Sequence, residues 1–296
     1  MQVAALHTVP EGAYNIRENG AAAGRKTTAN IDIVSKTDKP GIDIIVKPGT
    51  KRESIHIPVI ISESGLKDLV YNDFYIGEDA DVTIIAGCGI HNCGDQDSAH
   101  DGIHSFHVGK GARVRYVERH YGEEEGTGEN IMNPTTIIEI DEGGYLEMET
   151  TQIKGIDSTI RNTNAVLGKD ATLIVKEKIM THGRQHAETV FNVDLNGERS
   201  STNVISRSVA KDVSTQTFLS KINGNAECYG HTECDAIIMD NASVRAIPEI
   251  TANDINASLI HEAAIGKIAG EQIIKLMTLG LTEQEAEEQI VNGFLK

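Results

Sequence analysis

The sequence predicts a mainly β protein in which a parallel β-helix, or solenoid, forms the core and a small α-helical cap ends the chain. One observation is a recurring motif: an apolar residue, a turn rich in Gly, Asp or Asn, a small residue, and then a strand. Another is a shortage of aromatic residues, with 7 Tyr, 5 Phe and no Trp among 296 residues. The core must therefore be aliphatic, and β-branched aliphatic side chains suit closely stacked strands.

The turn-and-strand motif repeats with a period near 30 residues. Six copies and a weaker seventh begin at Ile76, Val108, Ile140, Leu167, Leu195, Ile222 and Met239. By subtraction, the starts are 32, 32, 27, 28, 27 and 17 residues apart. Such periods are typical of solenoids whose turns stack strand on strand. A β-sandwich also has short strands at regular spacing, but it needs no repeated turn motif, so the β-helix is favoured.

The pattern changes after Asn256, where apolar residues take a helical spacing. The first predicted helix carries an apolar stripe made of Ile268, Ile273, Ile274, Leu276 and Met277. Gly280 is a natural C-terminal stop, and Thr282 with Glu285 predicts a capping box that opens a second helix. We therefore expect an irregular N-terminal segment over 1–21, a β-helix core over 22–256 and a C-terminal helical segment over 257–296.

The charge balance excludes several classes of function. The chain has 27 Lys and Arg against 44 Asp and Glu, a net charge of 27 − 44 = −17. Nucleic acids and anionic membranes require a positive surface, so neither is an expected partner. No apolar run approaches the roughly 18 residues of a membrane span, and the first residues, MQVAALHTVP, lack the pattern of a signal peptide. We therefore expect a cytoplasmic protein.

Candidate metal ligands are densest in GCGIHNCGDQDSAHDGIHSFH, interpreted as a long loop between two copies of the motif. Its proposed ligands are Cys88, His91, Cys93, His100 and His104. Thiolate and imidazole ligands suit Fe²⁺ and Zn²⁺, so these residues could wrap one tetrahedral metal ion or an iron–sulfur precursor. The alternative is a polar surface loop with hydrogen-bonded histidines. In a reducing compartment, close cysteine pairs favour such roles, or simple burial, over disulfides.

A weaker metal motif lies in CYGHTEC. Cys228 and Cys234 differ by an even number of residues, so they share one face of a straight strand, whereas His231 points the other way. The three side chains converge only if the backbone turns at Gly230. The alternative for Cys228 is a residue that faces the interior of the solenoid.

The C-terminal sequences HEAAIGKI and EQIIKLMTLGLTEQEAEEQIVNGF closely resemble the C-terminal signature of the SufB/SufD family of iron–sulfur cluster assembly proteins. The resemblance implies a β-helical core and a short, minimal SufB-like form without the N-terminal helical domain of typical members. It also implies a homodimer that works as an assembly scaffold with a SufC-like ABC ATPase. A cysteine desulfurase or another sulfur donor would complete the partners. The chain has no Walker A pattern, so it is expected not to be an enzyme itself.

The resemblance also implies site residues. Cys234, in HTECDAIIM, is similar to a family cysteine implicated as a ligand of a transient iron–sulfur cluster at the subunit interface. His261 and Glu262 match the His–Glu pair of the signature, and we expect a two-fold axis to bring Cys234 of one subunit near that pair of the other. The residue before this histidine is often Glu in SufB, but here it is Ile260. The resemblance further implies that the C-terminal helices dock the ATPase, through Ile273, Ile274, Leu276 and Met277.

Two other functions remain open from sequence. One is a zinc-dependent metalloenzyme on a β-helix, with zinc held in the Cys88–His104 loop. The other is a structural adaptor without metal. The C-terminal signature favours the assembly scaffold, since a β-helix hydrolase or lyase has no reason to carry it.

Overall fold

The computed structural model describes residues 11–296, which form a two-sided parallel β-solenoid followed by two helices. The predicted fold class is confirmed. Each turn of the solenoid places one strand in each of two sheets, here called sheet A and sheet B. In spatial order, sheet A contains β2 (Ala21–Lys26), β1 (Ala13–Glu18), β5 (Lys51–Ile61), β7 (Asp81–Asn92), β9 (Arg113–Glu124), β12 (Tyr145–Lys154), β14 (Thr172–Thr181), β16 (Ser200–Ala210), β18 (Cys228–Ile238) and β20 (Ser258–Gly266).

Sheet B forms the opposite wall. In spatial order it contains β19 (Ser243–Ala252), β17 (Thr215–Gly224), β15 (His186–Leu195), β13 (Ser158–Leu167), β10 (Asn130–Met132) together with β11 (Thr135–Ile140), β8 (Ser98–Val108), β6 (Lys67–Ile76), β4 (Gly41–Val46) and β3 (Ile31–Ser35). At one end the antiparallel pairs β1–β2 and β3–β4 finish the sheets. At the other end β19 and β20 are the last strands, and each pairs with only one neighbour in its sheet.

Equivalent positions of the repeat motif predicted from sequence pair with one another on neighbouring strands of the solenoid. Val108 lies opposite Ile140, and Leu167 lies opposite Leu195, as copies of the motif should. The first six copies all mark the corner where a strand of sheet B turns into a strand of sheet A. The seventh copy is the exception, because Met239 follows β18 and marks the opposite corner, where sheet A turns into sheet B. This change of corner explains its short spacing.

Inward and outward side chains alternate along nearly every strand, as the pleat requires. The inward apolar residues form one continuous core through most of the solenoid. Within it, Phe74 stacks on Phe106 with ring centroids 4.5 Å apart, and Tyr116 meets Phe106 edge to face. Aliphatic side chains fill most of the remaining interior, as the composition predicts.

The strands extend beyond both expected boundaries of the β-helix core. Residues 13–18 form β1, which pairs in parallel with β5 and buries Ala13 and Asn15, so the described part of the 1–21 segment is not irregular. Residues 258–266 form β20, so the helical region begins only at Gly270. The reason β20 is hard to recognise is its position: a terminal strand has most of its residues exposed and needs no apolar alternation.

Two helices follow β20: α1 (Gly270–Met277) and α2 (Glu283–Phe294). Gly280 adopts a φ of 98° between them, and Thr282 with Glu285 forms the predicted capping box. Helix α2 buries Val291, which packs with Leu295 and with Val209 of β16, whereas α1 has no buried residue. Among the described residues, neither helix has the length and apolar character needed to cross a bilayer.

Close stacking of backbones predicts different costs for two glycine substitutions. Gly155 and Gly143 both have positive φ, 73° and 68°. A Cβ at Gly155 would lie 1.9 Å from the carbonyl oxygen of Gly122, whereas a Cβ at Gly143 meets nothing within 4 Å. We expect Gly143→Ala to lower the free energy of unfolding by about 1–2 kcal/mol through its backbone conformation alone. Gly155→Ala should cost about 1–3 kcal/mol more, because the stacked turns must separate. Urea unfolding of both variants measures the difference, and equal costs would contradict the stacking argument.

Candidate functional site

The interior of the solenoid contains a buried charged network as well as its apolar core. Its centre is Glu118, whose carboxylate accepts hydrogen bonds from Arg161 at 2.5 Å and from the Tyr116 hydroxyl at 2.8 Å. The Nε of Arg161 also lies 3.6 Å from the carboxylate of Glu177. A buried charge is tolerated only when it is paired and hydrogen-bonded, and this network meets that condition.

The environment sets opposite pKa shifts for the two carboxyls. Burial opposes ionisation of Glu118, but the neighbouring His120 and the Arg161 guanidinium hold its pKa well below its usual range. Burial raises the pKa of Glu177, despite Arg161 and the hydroxyls of Ser206 and Thr189 that donate to it. Glu118 and Arg161 therefore form a permanently charged pair. The carboxyl group of Glu177 is more easily protonated than that of Glu118.

The structure separates the five ligands predicted for the Cys88–His104 loop. Cys88 and His91 lie on β7, His100 and His104 lie on β8, and only residues 93–97 form a loop. The prediction of a long loop is therefore wrong, because most of these residues form paired strands. Cys88, His100 and His104 face inward, whereas His91 and Cys93 face outward. The structure therefore does not bring these five predicted ligands together around one point.

The inward-facing members of that set line a cavity of about 20 Å³, room for about one water molecule. His104 is hydrogen-bonded to the Tyr116 hydroxyl at 2.8 Å, and burial lowers its pKa to about 4. His100 is hydrogen-bonded to Asp68 at 3.1 Å. Burial raises the pKa of Cys88 well above its usual value. These groups are thus held by hydrogen bonds or burial and do not form a close ligand set.

The outward-facing members meet two carboxylates of the next turn. The Sγ of Cys93 lies 3.0 Å from the Nε2 of His91 and 3.6 Å from a carboxylate oxygen of Glu125. A carboxylate oxygen of Glu123 contacts the other ring nitrogen of His91. Slight desolvation and the Glu125 carboxylate raise the pKa of the Cys93 thiol. Cys93 is the one exposed cysteine of the four.

Cys234 lies inside the solenoid near its open end. It is 1% exposed, on β18, with Ser206 beside it on β16 and Ala263 beside it on the terminal strand β20. Burial, and then the carboxylates of Glu177 and Asp235, raise its pKa to about 12. Without a positive partner, this thiol stays protonated near neutral pH.

His261 and Glu262 face opposite sides of β20. His261 faces inward beside Thr232, whose hydroxyl contacts its Nδ1. Its Nε2 is buried without a hydrogen-bond partner among the described residues, and burial lowers its pKa. Glu262 faces outward and contacts the Nε2 of His231 at 3.0 Å. Within one chain, then, Cys234 and His261 share the inner face, and Glu262 does not join them.

The side chains of the weaker motif, CYGHTEC, alternate between the two faces of the strand as predicted. Cys228 and Cys234 are both buried on the inner face of β18, and His231 lies on the outer face, where Asn203 contacts its Nδ1 at 2.9 Å. The strand continues through Gly230 without a turn, so the two thiols and the imidazole do not converge. His231 instead approaches Glu233 and Glu262.

Comparison with known proteins gives this fold a family. Residues 70–294 match the SufBD core domain of SUF-system FeS cluster assembly. The chain belongs to the SufBD family. It is 33% identical over 258 residues to an iron–sulfur cluster assembly SufBD family protein of Methanocaldococcus jannaschii, covering 85% of this chain and 79% of that protein. A SufBD family protein of Archaeoglobus fulgidus is 32% identical over 263 residues, covering 88% and 69% respectively.

The family resemblance predicted from the C-terminal signature is therefore confirmed. The iron–sulfur cluster assembly protein SufB of Bacillus subtilis is 27% identical over 227 residues. This chain spans about half of the length of that SufB. Membership of the SufBD family supports a general role in iron–sulfur cluster assembly.

The helix predicted to bind a partner of this SufBD protein is exposed. On α1, Ile274 is 62% exposed and Met277 is 43% exposed, while Ile273 and Leu276 are half-buried. Leu279, which follows the helix, is 76% exposed. The predicted stripe thus leaves apolar side chains of α1 exposed to solvent.

Sequence reasoning missed the charged residues of the interior and the carboxylates next to Cys93. The signal for the first set was present: Tyr116, Glu118 and His120 alternate along one predicted strand, a spacing that places all three on one face. The signal for the second set was the repeat period, since Glu123 lies 32 residues after His91 and is its register partner.

Proposed function

We propose that this SufBD chain is a scaffold on which an iron–sulfur cluster is assembled, working with a SufC-like ABC ATPase. The observation that carries the proposal is the position of Cys234, a thiol inside the solenoid, one strand below its open end, with His261 in the terminal strand. Thiolate is the standard iron–sulfur ligand, and imidazole can replace it. A ligand set with fewer than four cysteines suits a cluster that is handed on.

A second copy of the chain would cover the open end. Strands β19 and β20 present free backbone edges 10 and 9 residues long, and such edges favour pairing with another chain. A two-fold axis would make both pairings self-complementary. The neighbour of Cys234 on the terminal strand is Ala263, so only a small side chain lies beside this thiol on that strand. The proposal is therefore a homodimer in which Cys234 of one copy works with His261 of the other.

Glu262 has a different position in this proposal. It lies on the outer face of β20 with His231, so it can reach a shared site only from the partner copy. Its role as a ligand stays a prediction. The proposed inner set is Cys234 with His261.

Helix α1 is the proposed docking surface for the ATPase. Its apolar stripe is exposed, although α2 beside it is anchored to the solenoid through Val291. An anchored α2 would transmit movement of a bound ATPase to the end of the solenoid. ATP-driven closure could then open or build the cluster site.

The placement of the expected ligands does not favour the alternative zinc metalloenzyme. Its expected ligands divide between the interior and the outer surface. The inward-facing part holds its histidines in hydrogen bonds to Tyr116 and Asp68.

Anaerobic reconstitution with Fe²⁺ and sulfide tests the role of Cys234. We expect Cys234→Ala to lose most of the bound iron and acid-labile sulfide, because the site loses its thiolate. Cys228→Ala is the matched control, since it removes a buried inward thiol of the same strand. It should retain the cluster. His261→Ala should also lose the cluster, whereas His231→Ala on the outer face should keep it. Equal loss in Cys228→Ala and Cys234→Ala would contradict the proposal, and circular dichroism checks that the fold persists.

Substitution on α1 tests ATPase docking. We expect Ile274→Asp to abolish co-purification with a SufC-like ATPase, because a carboxylate enters the apolar contact, while the melting temperature stays unchanged. Glu271→Gln, at the start of the same helix, is the control and should bind normally. Undiminished binding by Ile274→Asp would rule out this surface, and a lowered melting temperature would assign the stripe to folding.

A further inference from the structure

We propose that His91, Cys93 and Glu125 form a solvent-facing binding site for a single divalent transition-metal ion. The site is independent of the proposed function. It lies at the turn after β7, and five steps of sheet A separate β7 from β18. At about 4.8 Å per step, this is roughly 24 Å from the strand of Cys234.

The three ligand atoms already have the spacing of a metal site. Sγ of Cys93 is 3.0 Å from Nε2 of His91 and 3.6 Å from Oε2 of Glu125, and the last two atoms are 3.9 Å apart. For a tetrahedral ion with ordinary zinc–ligand bond lengths, these separations are about 3.4–3.6 Å. The observed triangle therefore needs adjustments of only about half an ångström to hold an ion.

The backbone fixes this triangle through the register of the solenoid. His91 lies opposite Glu123 in the parallel pairing of β7 and β9, and the next outward residues along the chain are Cys93 and Glu125. Beneath them, the buried Asn92 side chain accepts from the Gly94 amide and donates to the Gln96 carbonyl. A Cβ at Gly126 would lie 2.3 Å from the carbonyl oxygen of Gly94, so the two turns are in direct contact.

Glu123 lies against the other ring nitrogen of His91. Its carboxylate is in close contact with Nδ1 of His91, although these atoms lack hydrogen-bond geometry, and Nε2 is directed toward Cys93 and Glu125. Metal-binding histidines typically place their second nitrogen against a carboxylate in this way. A comparable exposed histidine–carboxylate pair on sheet B, His107 with Glu139, has no thiol near it in the described structure.

The donor set selects the class of ion. One thiolate, one imidazole and one carboxylate suit borderline ions such as Fe²⁺ and Zn²⁺, whereas Mg²⁺ and Ca²⁺ require oxygen ligands. Three protein ligands leave a fourth position open to solvent, as in sites where the ion exchanges or reacts. The site is thus suited to hold one exchangeable ion at the surface of the scaffold.

Cobalt substitution tests the site with a spectroscopic readout. Co²⁺ is titrated anaerobically into the purified 296-residue chain under reducing conditions, in a Cys234→Ala background that removes the proposed cluster thiol. We expect one equivalent to bind with the thiolate-to-cobalt charge-transfer band and the intense visible bands of tetrahedral Co²⁺, and Zn²⁺ to displace it. Cys93→Ser should abolish the charge-transfer band. Glu125→Gln and Glu123→Gln should each weaken binding by about 10–100-fold.

His107→Gln is the matched control, and it should bind Co²⁺ as the parent does. The proposal is overturned if the Cys234→Ala background shows no charge-transfer band at saturating Co²⁺, or if Cys93→Ser retains it. It is also overturned if His107→Gln weakens binding as much as Glu125→Gln, because the ion would then bind to surface carboxylates in general. Failure of cluster assembly in the Cys234 variant would leave this titration unaffected.

Discussion

The in-register stacking of parallel strands is the constraint on which the rest of this structure depends. From β4 onward, a residue lies directly beside its counterpart about 27–32 positions away, as Val108 does beside Ile140 and Thr232 beside His261. Alternation then assigns each side chain to the interior or to the surface. Together, these two rules convert positions far apart in sequence into neighbouring ligands, and they separate residues that are adjacent in sequence.

The candidate site shows both effects. His261 and Glu262 are consecutive, yet one enters the interior and the other pairs with His231 on the surface. By contrast, Cys93 and Glu125 are 32 residues apart and lie within 3.6 Å. The buried Glu118–Arg161 pair forms differently: it joins β9 of sheet A to β13 of sheet B across the interior. In a solenoid, many of the side chains that surround a given residue belong to the neighbouring turns.

Much of this could be predicted from sequence, because the repeat period is also the register of the sheets. The repeat period predicted the solenoid. Gly280 and the Thr282–Glu285 capping box predicted where the first helix ends and the second begins. What failed were inferences that ignored alternation: the Cys88–His104 loop was expected to converge, but its length pairs as strands with opposite faces. The pairing of Glu123 with His91 could have been found by adding one period. The terminal strand β20 could not, since an exposed edge strand carries little apolar pattern.

The central claim is that two copies of the chain share an assembly site at the open end of the solenoid. The most direct test mixes the Cys234→Ala and His261→Ala variants, allows subunits to exchange, and measures iron and acid-labile sulfide after anaerobic reconstitution. If Cys234 of one copy works with His261 of the other, each mixed dimer retains one intact site. Random exchange should then restore about a quarter of the wild-type cluster content. No recovery, despite demonstrated exchange, would contradict a site shared between the two copies.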